Sequence, residues 1–376
     1  MLYNKGSLES TERDMMTLSE YFSLKREKIS ESISMTLEEN KALGAKFAGD
    51  SAAIFSIMKE YAKSGKMLRG LLACIGSELF KMDTSQAAAR ASSDAVKVAT
   101  ALELFQAGLL VHDDIMDKDE MRRGKPTMHK IFERIEAGKS GDMPGSASLG
   151  EAIGICAGDM YYFIAWKLIT SFGAELGTLF SRELVDVCLA QIVDVRLGTH
   201  DRLPSLSEVL DVYAYKTARY TICLPLCAGA LLAGRKDALP YLEALGLNLG
   251  ILFQLQDDHL GLFGEAEELG KPVGSDIREG KKTPYMILLI ESLNSEETAR
   301  FGQIFGKKTI GKEEVDYVRG LVKTHGIDAR MRELVNSYAK KAEASLADLS
   351  AHLINLAPET LGLLEEFIAY SLSRKV

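Results

Sequence analysis

The sequence predicts an all-α protein, and three observations carry that reading. Proline is scarce, at eight of 376 residues, and aromatic residues make up only 7%, while Ala, Leu, Met, Glu and Lys abound; that mixture favours helices. Apolar residues recur at helical spacing in long runs, and no segment shows strand period. Two of those runs end in paired aspartates followed by a basic loop. A hydrophobic content of 47% can supply a sizeable core, and a net charge of −8 argues against a general nucleic-acid surface.

In chain order, residues 1 to about 20 read as a polar lead-in. One or two amphipathic helices follow, with Leu18, Tyr21, Phe22 and Leu24 at helical spacing. The segment Ser64-Gly65-Lys66-Met67-Leu68-Arg69 places a glycine turn before an apolar helix, with Lys66 and Arg69 about one turn apart. Two cations beside a helix N-terminus can jointly hold a diphosphate. Residues 86 to 112 form a long Ala-rich helical pattern that contains Phe105, Gln106 and Gly108.

That helix runs into Leu110 to His129, LVHDDIMDKDEMRRGKPTMH. Asp113 and Asp117 stand at i, i+4 and share a helix face, with Asp114 close to it. Two carboxylates about 6 Å apart repel by roughly 3 kcal/mol at an effective dielectric of ~20. Divalent cations remove that cost, and Mg²⁺ takes one or two carboxylates together with waters and phosphate oxygens. Arg122 and Arg123 suit the same anionic guest. Taken alone, the stretch reads equally well as a solvated helix end; a second copy of its pattern changes that balance. Phe253 to Thr283, FQLQDDHLGLFGEAEELGKPVGSDIREGKKT, again joins an apolar helix to paired aspartates, Asp257 and Asp258, and a basic loop with Lys271, Lys281 and Lys282.

Between these motifs, residues 150 to 180 return to helix with Gly158-Asp159. Cys188 to His200 forms a further run in which Gln191, Asp194 and Arg196 face a cleft without individual roles assigned. Residues 286 to 376 read as amphipathic packing helices. Five scattered cysteines suit a reducing compartment, and Cys223 and Cys227 read as buried packing. The N-terminus lacks an apolar core of signal-peptide length, and no run approaches the ~20 apolar residues of a membrane span. A soluble cytoplasmic protein without stable membrane insertion is expected.

With both aspartate motifs in hand, the chain resembles the trans-isoprenyl diphosphate synthases, or polyprenyl synthetases, of the short-chain type that make farnesyl or geranylgeranyl diphosphate. The resemblance runs in matching order from about Ser64 to Pro284. It implies one isoprenoid-synthase-type helical bundle around a central cleft, a single domain over 1–376, Mg²⁺ as cofactor with several ions per site, and a homodimer. It assigns the metal to Asp113, Asp114, Asp117, Asp257 and Asp258. Isopentenyl diphosphate falls to Lys66, Arg69, Gln106 and Arg123, and the allylic diphosphate to Arg122, Lys216, Lys271 and Lys281. Thr217 and Gln254 join Lys216 as catalytic residues that stabilise developing positive charge. Asp276 becomes a supporting carboxylate.

The chain departs from the family pattern in three places. Ser64 and Met67 replace a glycine and an arginine of the Gly-Gly-Lys-Arg-x-Arg segment, and Gly261 replaces the last aspartate of the second motif. In the family, bulky side chains upstream of the first motif close the floor of the product tunnel. Gly108 cannot close it and Phe105, one turn deeper, is the expected floor, which places the product at C20 to C25. The alternatives are a C15 or a longer product, a non-catalytic partner subunit of another prenyl synthase, and a terpene cyclase. A cyclase would need neither Lys66 and Arg69 nor the second motif with its basic loop.

Overall fold

The computed structural model describes residues 16–44, 46, 51–82, 84–140, 145–199, 202–264, 274–307 and 309–373. Its helices are α1 (Leu18–Gly44), α2 (Ser51–Lys63), α3 (Leu68–Glu78), α4 (Ser85–Met116), α5 (Met128–Ser140), α6 (Ser146–Thr170), α7 (Ala174–Thr199) and α8 (Leu206–Val212). A π-helix (Tyr213–Cys223) leads into α9 (Leu224–Leu232), a 3₁₀ turn (Lys236–Ala238) and α10 (Leu239–Phe263). There follow α11 (Ser275–Glu279), α12 (Pro284–Ile290), α13 (Ser295–Ile304), α14 (Lys312–Thr324), α15 (Ile327–His352) and α16 (Pro358–Ser373). The all-α expectation holds.

Local chemistry sets many of these boundaries. Thr84 caps α4 by accepting the Ala87 N–H at 3.1 Å, and Ser205 with Glu208 forms a capping box on α8. Prolines open α10 and α12 in the first turn, where a missing N–H costs nothing. Helices α3 and α9 meet through glycine: a Cβ on Gly76 would lie 2.3 Å from the Leu226 carbonyl oxygen, and one on Gly229 2.3 Å from that of Ala73.

Two apolar clusters fill the interior. The larger joins α1 to α7 with α9, α10, α15 and α16, and the smaller joins α8, the π-helix, α10 and α11 to α15. Helix α10 belongs to both, giving Leu249 and Leu252 to one cluster and Ile251 and Leu255 to the other. The cleft opens where α4, α7, the π-helix and α10 bring their polar ends together.

Two sequence expectations change here. A two-stranded hairpin, β1 (Met121–Arg122) with β2 (Lys125–Pro126), follows the first aspartate motif. Its two turn residues, Arg123 and Gly124, have φ of 54° and 72°, the left-handed pair that a tight hairpin requires. By length and composition, three helical stretches are also apolar enough to span a membrane: α4, α6 and Lys236–Phe263. In the first and third most of the apolar window is buried in the protein, whereas in α6 only 39% is. The remainder of α6 forms an exposed apolar stripe.

Candidate active site

A cleft of about 1040 Å³ receives side chains from segments spread along the chain. From α4 come Gln106 and Asp113, from α10 come Gln254 and Asp257, and from the π-helix come Lys216 and Thr217. Lys66, Arg69, Arg122 and Arg123 stand on the remaining wall. Segments more than a hundred residues apart in sequence thus place carboxylates and cations around one space.

The aspartates sort themselves by environment. Asp113 lines the cleft and accepts the amide N–H of Gln191 at 3.0 Å. Asp117, one turn on, is half-buried. Burial first, and the charge of Asp113 second, push its carboxyl up to about 6, with Lys281 opposing. Such a pair is under electrostatic frustration that a divalent cation relieves. Asp114 is fully buried and turned the other way: Tyr61 donates to Oδ2 at 2.9 Å and Arg122 Nε donates to Oδ1.

The second pair repeats this division. Asp257 and Asp258 both border the cleft, but Asp258 is only 5% exposed and accepts Tyr213 Oη at 2.5 Å and Gln254 Nε2 at 3.0 Å. Burial, with Asp276 adding, pushes Asp258 well above the usual carboxylate range. Asp114 and Asp258, also expected as metal ligands, have both oxygens engaged inside the protein, so Asp113, Asp117 and Asp257 are the carboxylates that could hold a metal with their outward oxygens. Among the described residues no three His, Cys, Asp or Glu side chains form a closed cage.

The cations are held by structure that spacing alone does not reveal. Arg69 donates through Nη2 to Thr221 Oγ1 at 2.6 Å and lies over the Tyr220 ring, 4.5 Å from its centroid. Its buried Nε has no hydrogen-bond partner among the described residues, which leaves one donor for an anion. Beneath it, the buried Glu103 accepts the Gly70 N–H at 2.7 Å. Met67, where the family pattern has an arginine, is instead buried at the start of α3 with φ 55°. Arg123 is held in a left-handed conformation that costs a non-glycine residue about 1–3 kcal/mol. The turn presses its guanidinium against Gly65, where a Cβ would meet Nη1 at 2.8 Å.

These carboxylates and cations have counterparts in known proteins. A profile described as polyprenyl synthetase matches residues 51–322. A geranylgeranyl diphosphate synthase of Sulfolobus acidocaldarius is 33% identical over 77% of this chain and 82% of its own length. The chain belongs to the polyprenyl synthetase family. It is a prenyltransferase. A short chain isoprenyl diphosphate synthase of Methanocaldococcus jannaschii is 32% identical over 67% of this chain and 70% of that protein. Among solved structures, a geranylgeranyl pyrophosphate synthase of Corynebacterium glutamicum, complexed with isoprenyl diphosphate and magnesium, superposes with a TM-score of 0.83 at 26% identity. It covers 95% of this chain and 99% of the other.

Seen as a polyprenyl synthetase, the chain solves its departure at Gly261 in three dimensions. An ideal Cβ on Gly261 would lie 2.9 Å from Asp276 Oδ2. The carboxylate of Asp276, fifteen residues on and also lining the cleft, occupies the place where a side chain at 261 would begin. Lys281, from the same segment, pairs with Glu279 at 2.7 Å. Burial works against its charge, but Glu279 and Asp276 prevail and hold its proton more tightly than in an ordinary lysine. Lys281 does not line the cleft itself, and Lys271 lies outside the described residues.

The expected partnership of Thr217 with Gln254 appears as a 2.9 Å hydrogen bond from Thr217 Oγ1 to Gln254 Oε1. Lys216 meets Asp194 at 2.5 Å. Both Lys216 and Thr217 ride on the π-helix, whose wider turn marks functional segments. Glu183 and Arg219, which sequence reasoning did not single out, pin this segment from behind. Glu183 is 1% exposed and accepts Arg219 through Nε at 2.9 Å and Nη2 at 2.5 Å. Their only sequence signal is a charged residue inside an apolar run. Gln191 and Asp194 take up definite contacts in the same cleft, the individual roles that the sequence withheld.

The floor also differs from expectation. Phe105 is 3% exposed and does not line the cleft; Tyr162 of α6 does. Gly108 is a point of close approach to α6, because a Cβ there would meet Tyr162 Cε1 at 2.6 Å and the Gly158 carbonyl oxygen at 2.9 Å. Cys223 and Cys227 are buried as expected, their thiols directed at the Glu243 and Leu239 carbonyls.

Proposed function

We propose that the protein condenses isopentenyl diphosphate head-to-tail with an allylic diphosphate to make a trans-polyprenyl diphosphate of C20 to C25. The observation that carries this reading is the pair of outward aspartates, Asp113 and Asp257, facing one cleft that is also lined by Lys66, Arg69, Arg122, Arg123 and Lys216. The names of the Sulfolobus and Corynebacterium relatives favour the C20 class.

Asp113, Asp117 and Asp257 would hold Mg²⁺, which neutralises the diphosphate leaving group as the allylic C–O bond breaks. Lys216 adds cationic support on that side, and the family resemblance gives Lys271 and Lys281 the same role. Thr217 Oγ1 and Gln254 Oε1 turn oxygen dipoles toward the positive charge that develops on the allyl carbon. Lys66, Arg69, Gln106 and Arg123 hold isopentenyl diphosphate so that its double bond meets that carbon. A carbon–carbon bond forms, and a proton leaves to the departed diphosphate.

Two further parts of this reading rest on surface chemistry. The apolar stripe of Leu149, Ile155 and Phe163 on α6 with Val185, Leu189 and Ile192 on α7 is exposed at 44–74%. A patch of that kind suits a homodimer. The five free cysteines suit the cytoplasm. The deciding experiment supplies Mg²⁺, isopentenyl diphosphate and, separately, dimethylallyl, geranyl, farnesyl and geranylgeranyl diphosphates, with products sized by mass spectrometry. Elongation to C20 or C25 supports the reading, and failure to elongate any primer refutes it.

A further inference from the structure

The π-helix stands between α7 and α10 and is gripped from both sides. Against α10 the helices meet at glycine: a Cβ on Gly250 would lie 2.3 Å from Ala218 Cα, and one on Gly246 2.8 Å from Cys223 Sγ. Such contact fixes how closely the helices lie, but a glycine has no side chain to stop one sliding along the other. The grip on α7 is ionic. Lys216 reaches Asp194, and Arg219 reaches Glu183.

These two ion pairs pull against each other. Lys216 and Arg219 are three residues apart, whereas Glu183 and Asp194 are eleven apart, three turns or about 16 Å along α7. The lysine and arginine side chains therefore splay in opposite directions along the π-helix, and together they set its position. The pairs differ in permanence. Lys216 and Asp194 are 31% and 35% exposed, and Lys216 lines the cleft. Glu183 is 1% exposed, does not line the cleft, and besides Arg219 accepts Arg182 Nε at 3.1 Å and Nη2 at 2.8 Å. A diphosphate entering the cleft competes with Asp194 for Lys216. It cannot compete for Arg219 in the same way, because that pair is enclosed.

We infer that Glu183 is a positioning residue for the allylic substrate: its ion pair with Arg219 holds the π-helix in place while Lys216 exchanges Asp194 for the substrate diphosphate. This rests on the synthase reading, in which Lys216 and Thr217 serve the allylic side. Without Glu183 the opposing pull is gone. Arg219 then turns to Glu243 of α10, 3.9 Å away in the intact protein, and carries Lys216 and Thr217 out of line with their substrate. The isopentenyl side is restrained separately, because Thr221, near the other end of the π-helix, accepts Arg69 Nη2 at 2.6 Å. Loss of Glu183 therefore falls on one substrate and spares the other.

The test measures kcat and both KM values for the wild type, Glu183→Gln, Arg219→Gln, their double variant and Glu243→Gln, with Mg²⁺, isopentenyl diphosphate and the allylic primer that the wild type elongates fastest. Glu183→Gln and Arg219→Gln are each expected to raise KM for the primer about 10-fold and to lower kcat by a similar factor, with KM for isopentenyl diphosphate within about 2-fold of wild type. The double variant should be no worse than either single one, because the two residues act as a pair. Glu243→Gln should leave all three constants within about 2-fold, since its contact with Arg219 is long and partly exposed. A purely structural role would lower the folded fraction, and kcat with it, without moving either KM. That result, an equal rise in both KM values, additive losses in the double variant or an equal effect of Glu243→Gln overturns the assignment. If circular dichroism shows that Glu183→Gln does not fold, Arg219→Lys, which keeps the charge but loses the two-pronged contact, replaces it and is judged by the same constants. A wild type that elongates no primer sinks the synthase reading and this inference with it, whereas an active wild type with an unmoved primer KM in Glu183→Gln sinks the inference alone.

Discussion

At the end of α4 the inner carboxylate, Asp114, meets an arginine; at the end of α10 its counterpart, Asp258, meets a glutamine. Both motifs follow one rule, in which the first aspartate faces the cleft and the second turns inward to a tyrosine hydroxyl, Tyr61 or Tyr213. Their completion differs. The first motif carries its own further carboxylate, Asp117, one helical turn on, and neutralises Asp114 with Arg122. The second has Gly261 at that turn and receives Asp276 from α11. The carboxylates of the first motif therefore come from a single helix end, whereas beside the second a further carboxylate arrives from another segment. The second should depend more heavily on how the chain is folded.

The largest expected effect tests what the motifs share. Asp113→Ala and Asp257→Ala should each lower turnover by roughly 10²–10³-fold or more, because each removes charge that meets the leaving diphosphate. Steady-state kinetics with saturating Mg²⁺ checks this, and an effect from only one of the two would break the symmetry.

Next comes the point of difference. Asp276→Asn should weaken Mg²⁺-dependent diphosphate binding, measured by calorimetry, on the order of 10-fold. Gly261→Asp alone should also be harmful, since its side chain would start 2.9 Å from Asp276 Oδ2. The Gly261→Asp/Asp276→Asn double variant should recover much of the loss. Additive damage in the double variant would show that Asp276 does not stand in for the missing carboxylate.

A smaller effect separates the two inner carboxylates. Removing the tyrosine hydroxyl from a buried carboxylate costs about 1–3 kcal/mol, and Tyr213→Phe should lie higher in that range than Tyr61→Phe. Asp114 keeps its arginine, whereas among the described residues the remaining partner of Asp258 is an amide. Urea unfolding of both variants gives the comparison directly.

The smallest effect concerns pH. In the metal-free protein Asp117 holds its proton up to about pH 6, whereas in the unfolded chain it releases it near its ordinary 3.8. The native state binds the extra proton, so stability falls as pH rises through that window. Asp117 is partly open to solvent, which discounts the effect to on the order of 1 kcal/mol. Asp117→Asn should remove the slope and raise the melting temperature of the metal-free protein above pH 6, while weakening Mg²⁺ binding.

Sequence by itself determined the helical class, the shared face of Asp113 and Asp117 and the identity of most cleft cations, because each depends on local order. Apolar periodicity writes a helix, i and i+4 share its face, and charges at a helix end must meet solvent or a ligand. Tertiary structure alone decided which aspartate of each pair turns inward, since that depends on Tyr61 and Tyr213 arriving from other helices. It also decided that Asp276 fills the place left by Gly261, that Glu183 and Arg219 pin the π-helix, and that Tyr162 rather than Phe105 meets the cleft. The physical reason is common to all four: a helix pattern states which residues share a face, but what lies opposite that face is set by packing between segments distant in the chain.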